Sequence, residues 1–236
     1  MREADLITRF YFATETPGLE RLLLGKKDES RRMEEGQVLT SRDASSLVVD
    51  TLAGQTRGQG AAIACFYFDF AARKEQSSVS VLGALLKQVV SGLEEIPGEI
   101  AEAYEDQKSV VGGGGPQIDA IIKMLQNTAC VKRTFLFIDA LDECVARDRV
   151  KLLDSLDQII QCSPGTRVFV TGRSYIEAEV GRRLSGRVTA MRITPRRDDV
   201  VSYLHRRLDE DTTPDAMDSS IKGNILKKIP DNISEM

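Results

Sequence analysis

The apolar residues of the chain fall into two kinds of segment that alternate. AAIACFYFDF (61–70), RTFLFID (133–139), TRVFVT (166–171) and RVTAMRI (187–193) are short runs, apolar at most positions. The first is bounded by glycines before it and charge after it, and such runs predict strands buried on both faces. Between them the period changes. Leu82, Leu85, Leu86, Val89, Val90 and Leu93 recur at three- and four-residue intervals, with Ser77 or Ser78 available as cap. IDAIIKMLQ (118–126) is a short amphipathic helix, and RVKLLDSLDQIIQ (149–161) gathers Leu152, Leu153, Leu156, Ile159 and Ile160 on one helical face. EIPGEIAEAYEDQKS and YIEAEVGRRL are further helices. Ser163-Pro164-Gly165 is a turn and the run Gly112 to Gly115 a flexible linker.

Strands alternating with helices of this length require crossover connections, so the predicted fold class is α/β, a mostly parallel sheet flanked by helices. In such sheets ligands bind beyond the carboxyl ends of the strands. The carboxyl end of RTFLFID runs into DALDEC, with Asp139, Asp142 and Glu143 within five positions. An acid after an apolar strand is ordinarily a solvated turn or a cap. The next strand, however, delivers Thr171, Gly172 and Arg173 to the same rim. Oxygen ligands for a divalent cation, a base for water and a cation for a phosphoryl group would then converge.

Composition narrows the classes. With 236 residues, 42% hydrophobic and 29% charged, the chain can bury a core without disulfides or metals. A net charge of −4 with mixed signs argues against attachment to nucleic acid or an anionic membrane through the overall field. The cysteines, Cys65, Cys130, Cys144 and Cys162, form no CxxC pair, and His205 is the only histidine, so no zinc site is expected. Reduced, mostly buried thiols and a cytoplasmic location are the expectation. No apolar stretch approaches the roughly 18 residues of a membrane span, and MREADLITRF is not a signal sequence.

FLFIDALDEC resembles the Walker B segment of the NACHT branch of the STAND class of P-loop NTPases, in its fungal, nephrocystin-3-like version: an apolar strand ending in Asp, followed at once by an Asp-Glu pair. VFVTGRS resembles that family's sensor segment, usually TSRP, and ITPRRDDVVSYLHRRL resembles the helix after the last core strand. AAIACFYFDF and VLGALLKQVV fit its second strand and helix. The resemblance spans roughly 44–236. It implies a RecA-type, P-loop NTPase-like core at 37–196, an N-terminal helical lead-in at 1–36, and the start of a helical subdomain at 197–236. It further implies Mg²⁺ and ATP or GTP as cofactors, with Asp139 as metal ligand. Glu143, with Asp142 as the alternative, would handle the attacking water, and Arg173 beside Thr171 would sense the γ-phosphate. Partners implied are the nucleoside triphosphate and, through C-terminal ankyrin or WD repeats, other proteins. PDNISEM closes the chain inside a helical region, as in a fragment.

One half of the implied site is missing. A phosphate loop needs GxxxxGK[ST], so that successive N–H groups wrap the phosphates and Lys neutralises them. LLLGKKDES (22–30) lacks the second glycine and the Lys-Thr, and AGQTRGQG (53–60) lacks the lysine. The resemblance places the loop just before SSLVVDTLAG (45–54), where GQVLTSRDAS stands. With Gln37 to Thr40 as first strand, only Ser41 to Asp43 remain for a turn needing about eight residues. Three origins are open: a natural non-hydrolysing relative, a coding sequence that has lost the loop, or an unorthodox substitute. The sequence therefore supports a Mg-ATP or GTP switch with impaired hydrolysis, or alternatively a non-catalytic pseudo-NTPase scaffold. A phosphatase that needs metal but no P-loop is a third reading.

Overall fold

The structure, a computed structural model, describes residues 8–13, 41–56, 60–93, 95–109, 116–184, 188–193, 197–209 and 218–234. Five strands form one sheet: β1 (Thr8–Ala13), β2 (Ala62–Tyr67), β3 (Thr134–Asp139), β4 (Thr166–Arg173) and β5 (Val188–Ile193). Their order is β2-β3-β4-β1-β5. Strands β2, β3 and β4 are parallel neighbours, whereas β1 runs antiparallel to both β4 and β5. Strand β5 therefore shares the direction of β4, and β1 alone opposes it. The α/β class with a mostly parallel sheet is the one the periodicities predict.

Helices α1 (Ser41–Thr56), α2 (Ser78–Ser91), α3 (Gly98–Ser109), α4 (Ile118–Val131), α5 (Ala146–Cys162) and α6 (Glu177–Arg183) accompany the sheet. The helices α7 (Arg197–Asp209) and α8 (Ser219–Ser234) pack on each other. Side chains alternate across a strand, so each face has its own core. One face brings Ala62, Ala64, Leu136, Ile138, Val168 and Val170 against α2, α4 and α5, where Leu82, Leu85, Leu125, Leu152, Leu156 and Ile159 are buried. On the other, Phe135, Phe137 and Phe169 pack with Leu52 of α1. With helices on both sides, every residue of β3 is buried.

Helix boundaries follow local chemistry. The side chain of Ser77 accepts from the Ser80 N–H and caps α2, one of the two caps expected. Asp148, in the first turn of α5, accepts from both the N–H and the hydroxyl of buried Ser78, which ties the starts of α2 and α5 together. The glycine run 112–115 and the expected first strand, Gln37 to Thr40, lie outside the described residues.

Three expectations are corrected. Residues 8–13, expected within a helical lead-in over 1–36, form β1. TRFYFA carries three successive aromatics of high strand preference, and two flanking strands offer it ladders on both sides. The sheet thus begins before residue 37. Helix α1 starts at Ser41, so Ser41 to Asp43, the residues left over for a phosphate loop, form its first turn. The thiols are not mostly buried: Cys144 is, Cys65 is half-buried, and Cys130 and Cys162 are exposed at the outward side of the last turns of α4 and α5. No described helix is long and apolar enough to cross a membrane.

Leu152 is fully buried between the helices and the sheet. Leu152→Ala is expected to lower unfolding free energy by about 3 kcal/mol, the usual cost of a cavity at a closed site. Urea titration of the two proteins measures the difference.

Candidate functional site

Parallel pairing sets Ile138 against Val170, so the next residues, Asp139 and Thr171, reach the carboxyl-end rim side by side and on the same face. The Thr171 hydroxyl donates to Asp139 Oδ1 at 2.6 Å and accepts the Ala140 N–H at 2.9 Å. Both side chains are buried. Ala140 has φ 53° and ψ 45°, the only left-handed non-glycine among the described residues. Such a conformation persists where the surroundings hold it, and the Thr171 oxygen fastens its N–H. The reversal turns the chain into a short 3₁₀ segment, Leu141–Glu143, with Leu141 fully buried as its anchor.

That segment presents the second pair of acids. Asp142 Oδ1 accepts the Arg173 N–H at 3.3 Å, and Oδ2 lies 3.3 Å from Arg173 Nε. Its side chain is 7% exposed, against 40% for Arg173. Burial raises the Asp142 carboxyl above its ordinary 3.8, although Arg173 pulls the other way. Glu143 is also raised from 4.5, first by burial and then by the Asp142 charge, while the Phe70 N–H stabilises its carboxylate. A carboxyl group whose protonated form is favoured by burial suits proton transfer.

All five expected residues, Asp139, Asp142, Glu143, Thr171 and Arg173, therefore gather at one rim. Their pairing differs from the expectation in one respect: Arg173 faces Asp142 rather than standing alone toward a phosphate. Four further groups lie here that sequence reasoning missed. Asp69, which raises the Glu143 pKa, and Phe70 follow β2, the parallel neighbour of β3. The carboxyl-end rule that located Asp139 locates them as well. Tyr175, exposed, donates its hydroxyl to the Asp142 carbonyl at 3.2 Å. Arg149 holds the turn from behind, with Nη1 on the Cys144 carbonyl at 3.2 Å and Nε and Nη2 on Glu179 at 3.0 and 2.9 Å.

Gly172 stands where the resembled pattern has Ser, and the packing explains it. A Cβ there would lie 2.5 Å from Ile176 Cδ1 and 3.4 Å from Asp142 Oδ1. Ile176 is fully buried and has little room to yield.

Among the described residues no group of three His, Cys, Asp or Glu is placed to hold a metal ion. The donor set, one buried carboxylate with a second on the next turn, fits Mg²⁺ only as that ion usually binds, with water and substrate phosphates completing its shell. No GxxxxGK[ST] stands in the sequence to supply the phosphate side. Strand β1 sets Thr8 opposite Arg173 and Ala13 opposite Val168, so the chain leaves β1 at the rim opposite the acids.

The molecule is thus an α/β domain with an acid-and-guanidinium rim at the carboxyl ends of its parallel strands. A family model, that of the N-terminal region of nephrocystin 3, matches residues 44–173, more than half of the chain. The chain belongs to the nephrocystin 3 N-terminal family. No curated protein and no solved structure matches it.

Two outcomes test this geometry. Gly172→Ala is expected to destabilise the fold by about 1–3 kcal/mol through overpacking against Ile176, measured as a lower urea midpoint at unchanged slope. The second concerns pH. The folded pKa of Glu143 is raised, so its contribution is fully present below about 4.5, its ordinary value, and is lost as pH rises through the folded value. Glu143→Gln keeps an acceptor for the Phe70 N–H and removes that titration. As pH rises from about 4.5 the wild type should lose stability relative to the variant, and parallel profiles would contradict the assignment.

Proposed function

We propose that the chain is a NACHT-type module of the STAND class that retains the metal and water side of a nucleotide site and lacks the phosphate-wrapping side. It would associate weakly with Mg-ATP or Mg-GTP, respond to it in signalling or assembly, and not hydrolyse it. The observation that carries this reading is the Asp139–Thr171 pair at the tips of adjacent parallel strands, with Glu143 one short turn beyond. Membership of the nephrocystin 3 N-terminal family supports it.

Mg²⁺ bound with a nucleotide would supply charge neutralisation at the phosphates. The chain's own groups have separate parts. Asp139, fixed by Thr171, is the carboxylate for the ion's shell. Glu143 is the group whose raised pKa suits holding a proton of a water at the rim. Arg173, held by Asp142 and 40% exposed, is the cation that can turn toward an anion. Without a lysine and a run of N–H groups, three carboxylates face a polyanion, which makes binding weak.

A second reading, a non-catalytic interaction scaffold, is favoured by α1 beginning at Ser41 and by β1 running opposite to its neighbours. Calorimetry with Mg-ATP separates the two. The nucleotide reading expects heat of binding at millimolar nucleotide in the wild type, none in Asp139→Ala, and no phosphate release from either. Asp139→Asn, which keeps an acceptor for Thr171, guards against a folding defect. Absence of binding by the wild type at millimolar Mg-ATP replaces this reading with the scaffold. Steady phosphate release lost in Asp139→Ala refutes the claim that hydrolysis is gone.

A further inference from the structure

Helices α4 and α5 lie side by side and end together at the amino-end rim of the sheet, opposite the acids. Three contacts knit their last turns. Gln126 Nε2 donates to the Gln158 carbonyl at 3.1 Å, the hydroxyl of buried Ser163 donates to the Gln126 carbonyl at 3.1 Å, and Cys130 Sγ donates to the Cys162 carbonyl at 3.5 Å. Cys130 Sγ is also 3.6 Å from Ser163 Oγ. Both Cys130 and Cys162 are exposed and free.

We infer that Cys130 and Cys162 form a modification site, a thiol pair that a peroxide converts into a reversible disulfide joining α4 to α5. A disulfide spans Cα separations up to about 7 Å, and the Cys130 sulfur already touches the Cys162 carbonyl. Rotation of both exposed side chains, with a small approach of the last turn of α5, completes the bond.

The chemistry balances with hydrogen peroxide as oxidant. The sulfur of one thiol attacks a peroxide oxygen, the O–O bond breaks, and water leaves to give a sulfenic acid. The second sulfur then attacks the first, the S–O bond breaks, and a second water carries off the remaining proton and oxygen. Two electrons pass from the sulfur pair to the peroxide.

Selectivity follows from the surroundings of the other cysteines. Burial pushes the Cys65 thiol up to about 11 and the Cys144 thiol up to about 12, which keeps both protonated and unreactive. The new bond would enclose β3 and the acidic turn within one covalent loop, and it would restrain α4 from parting from α5.

The test treats the full chain with hydrogen peroxide, then alkylates it and maps the peptides by mass spectrometry. Cys130 and Cys162 are expected to lose alkylation together in a monomeric product, with their peptides joined, a higher melting temperature, and recovery of both thiols on reduction. In Cys162→Ser the sulfenic acid on Cys130 should persist and be trapped by dimedone. The inference is overturned if both thiols stay alkylatable, if Cys162→Ser yields no dimedone-trapped sulfenic acid on Cys130, or if joined peptides arise only from cross-linked dimers.

Discussion

A single hydroxyl, that of Thr171, organises the rim on which everything else is arranged. It donates to Asp139 and accepts from Ala140, so it closes the end of the β3–β4 pairing at the point where the main-chain ladder stops. Remove that oxygen and the part-buried N–H of a left-handed residue loses its acceptor, a deficit of about 1 kcal/mol on top of the backbone strain. The turn it steadies then sets the height of Asp142, which in turn receives the Arg173 N–H. Gly172 is part of the same device, since a Cβ there would meet the buried Ile176 side chain at 2.5 Å.

The clasp is braced from outside by charge. Arg149 reaches from α5 to Glu179 of α6 and to the carbonyl of Cys144, so the chain that follows the acids is tied to two helices. Asp148, one residue earlier, reaches back to Ser78. Neighbouring residues at the start of α5 therefore bind two different helices, α2 and α6. Such supports fix a site more firmly than a loop could.

Much of this was written in the pattern of apolar positions. Leu152, Leu153, Leu156, Ile159 and Ile160 are all buried as their spacing requires, and β3 is buried throughout because helices cover both faces. The meeting of Asp139 with Thr171 was legible too, because parallel strands bring their carboxyl ends to one edge. What stayed hidden was non-local or conformational. TRFYFA finds its partners about 160 residues away, and nothing adjacent to it announces them. The reversal at Ala140 carries no glycine to mark it. The pairing of Arg173 with Asp142 depends on angles that spacing does not contain, and the exposure of Cys130 and Cys162 depends on how far the helices extend beyond the sheet.

The reversed strand also bears on how the chain comes to be made. Thr8–Ala13 is made before the other strands of the sheet, yet its two ladders are with Val168–Arg173 and Val188–Ile193, the last two of them in chain order. Until then its six residues, three of them aromatic, have no edge to join. High contact order of this kind slows folding and leaves sticky segments waiting. For this domain the hazard falls in the interval of synthesis, when a chaperone's grip on the nascent β1 segment would matter most.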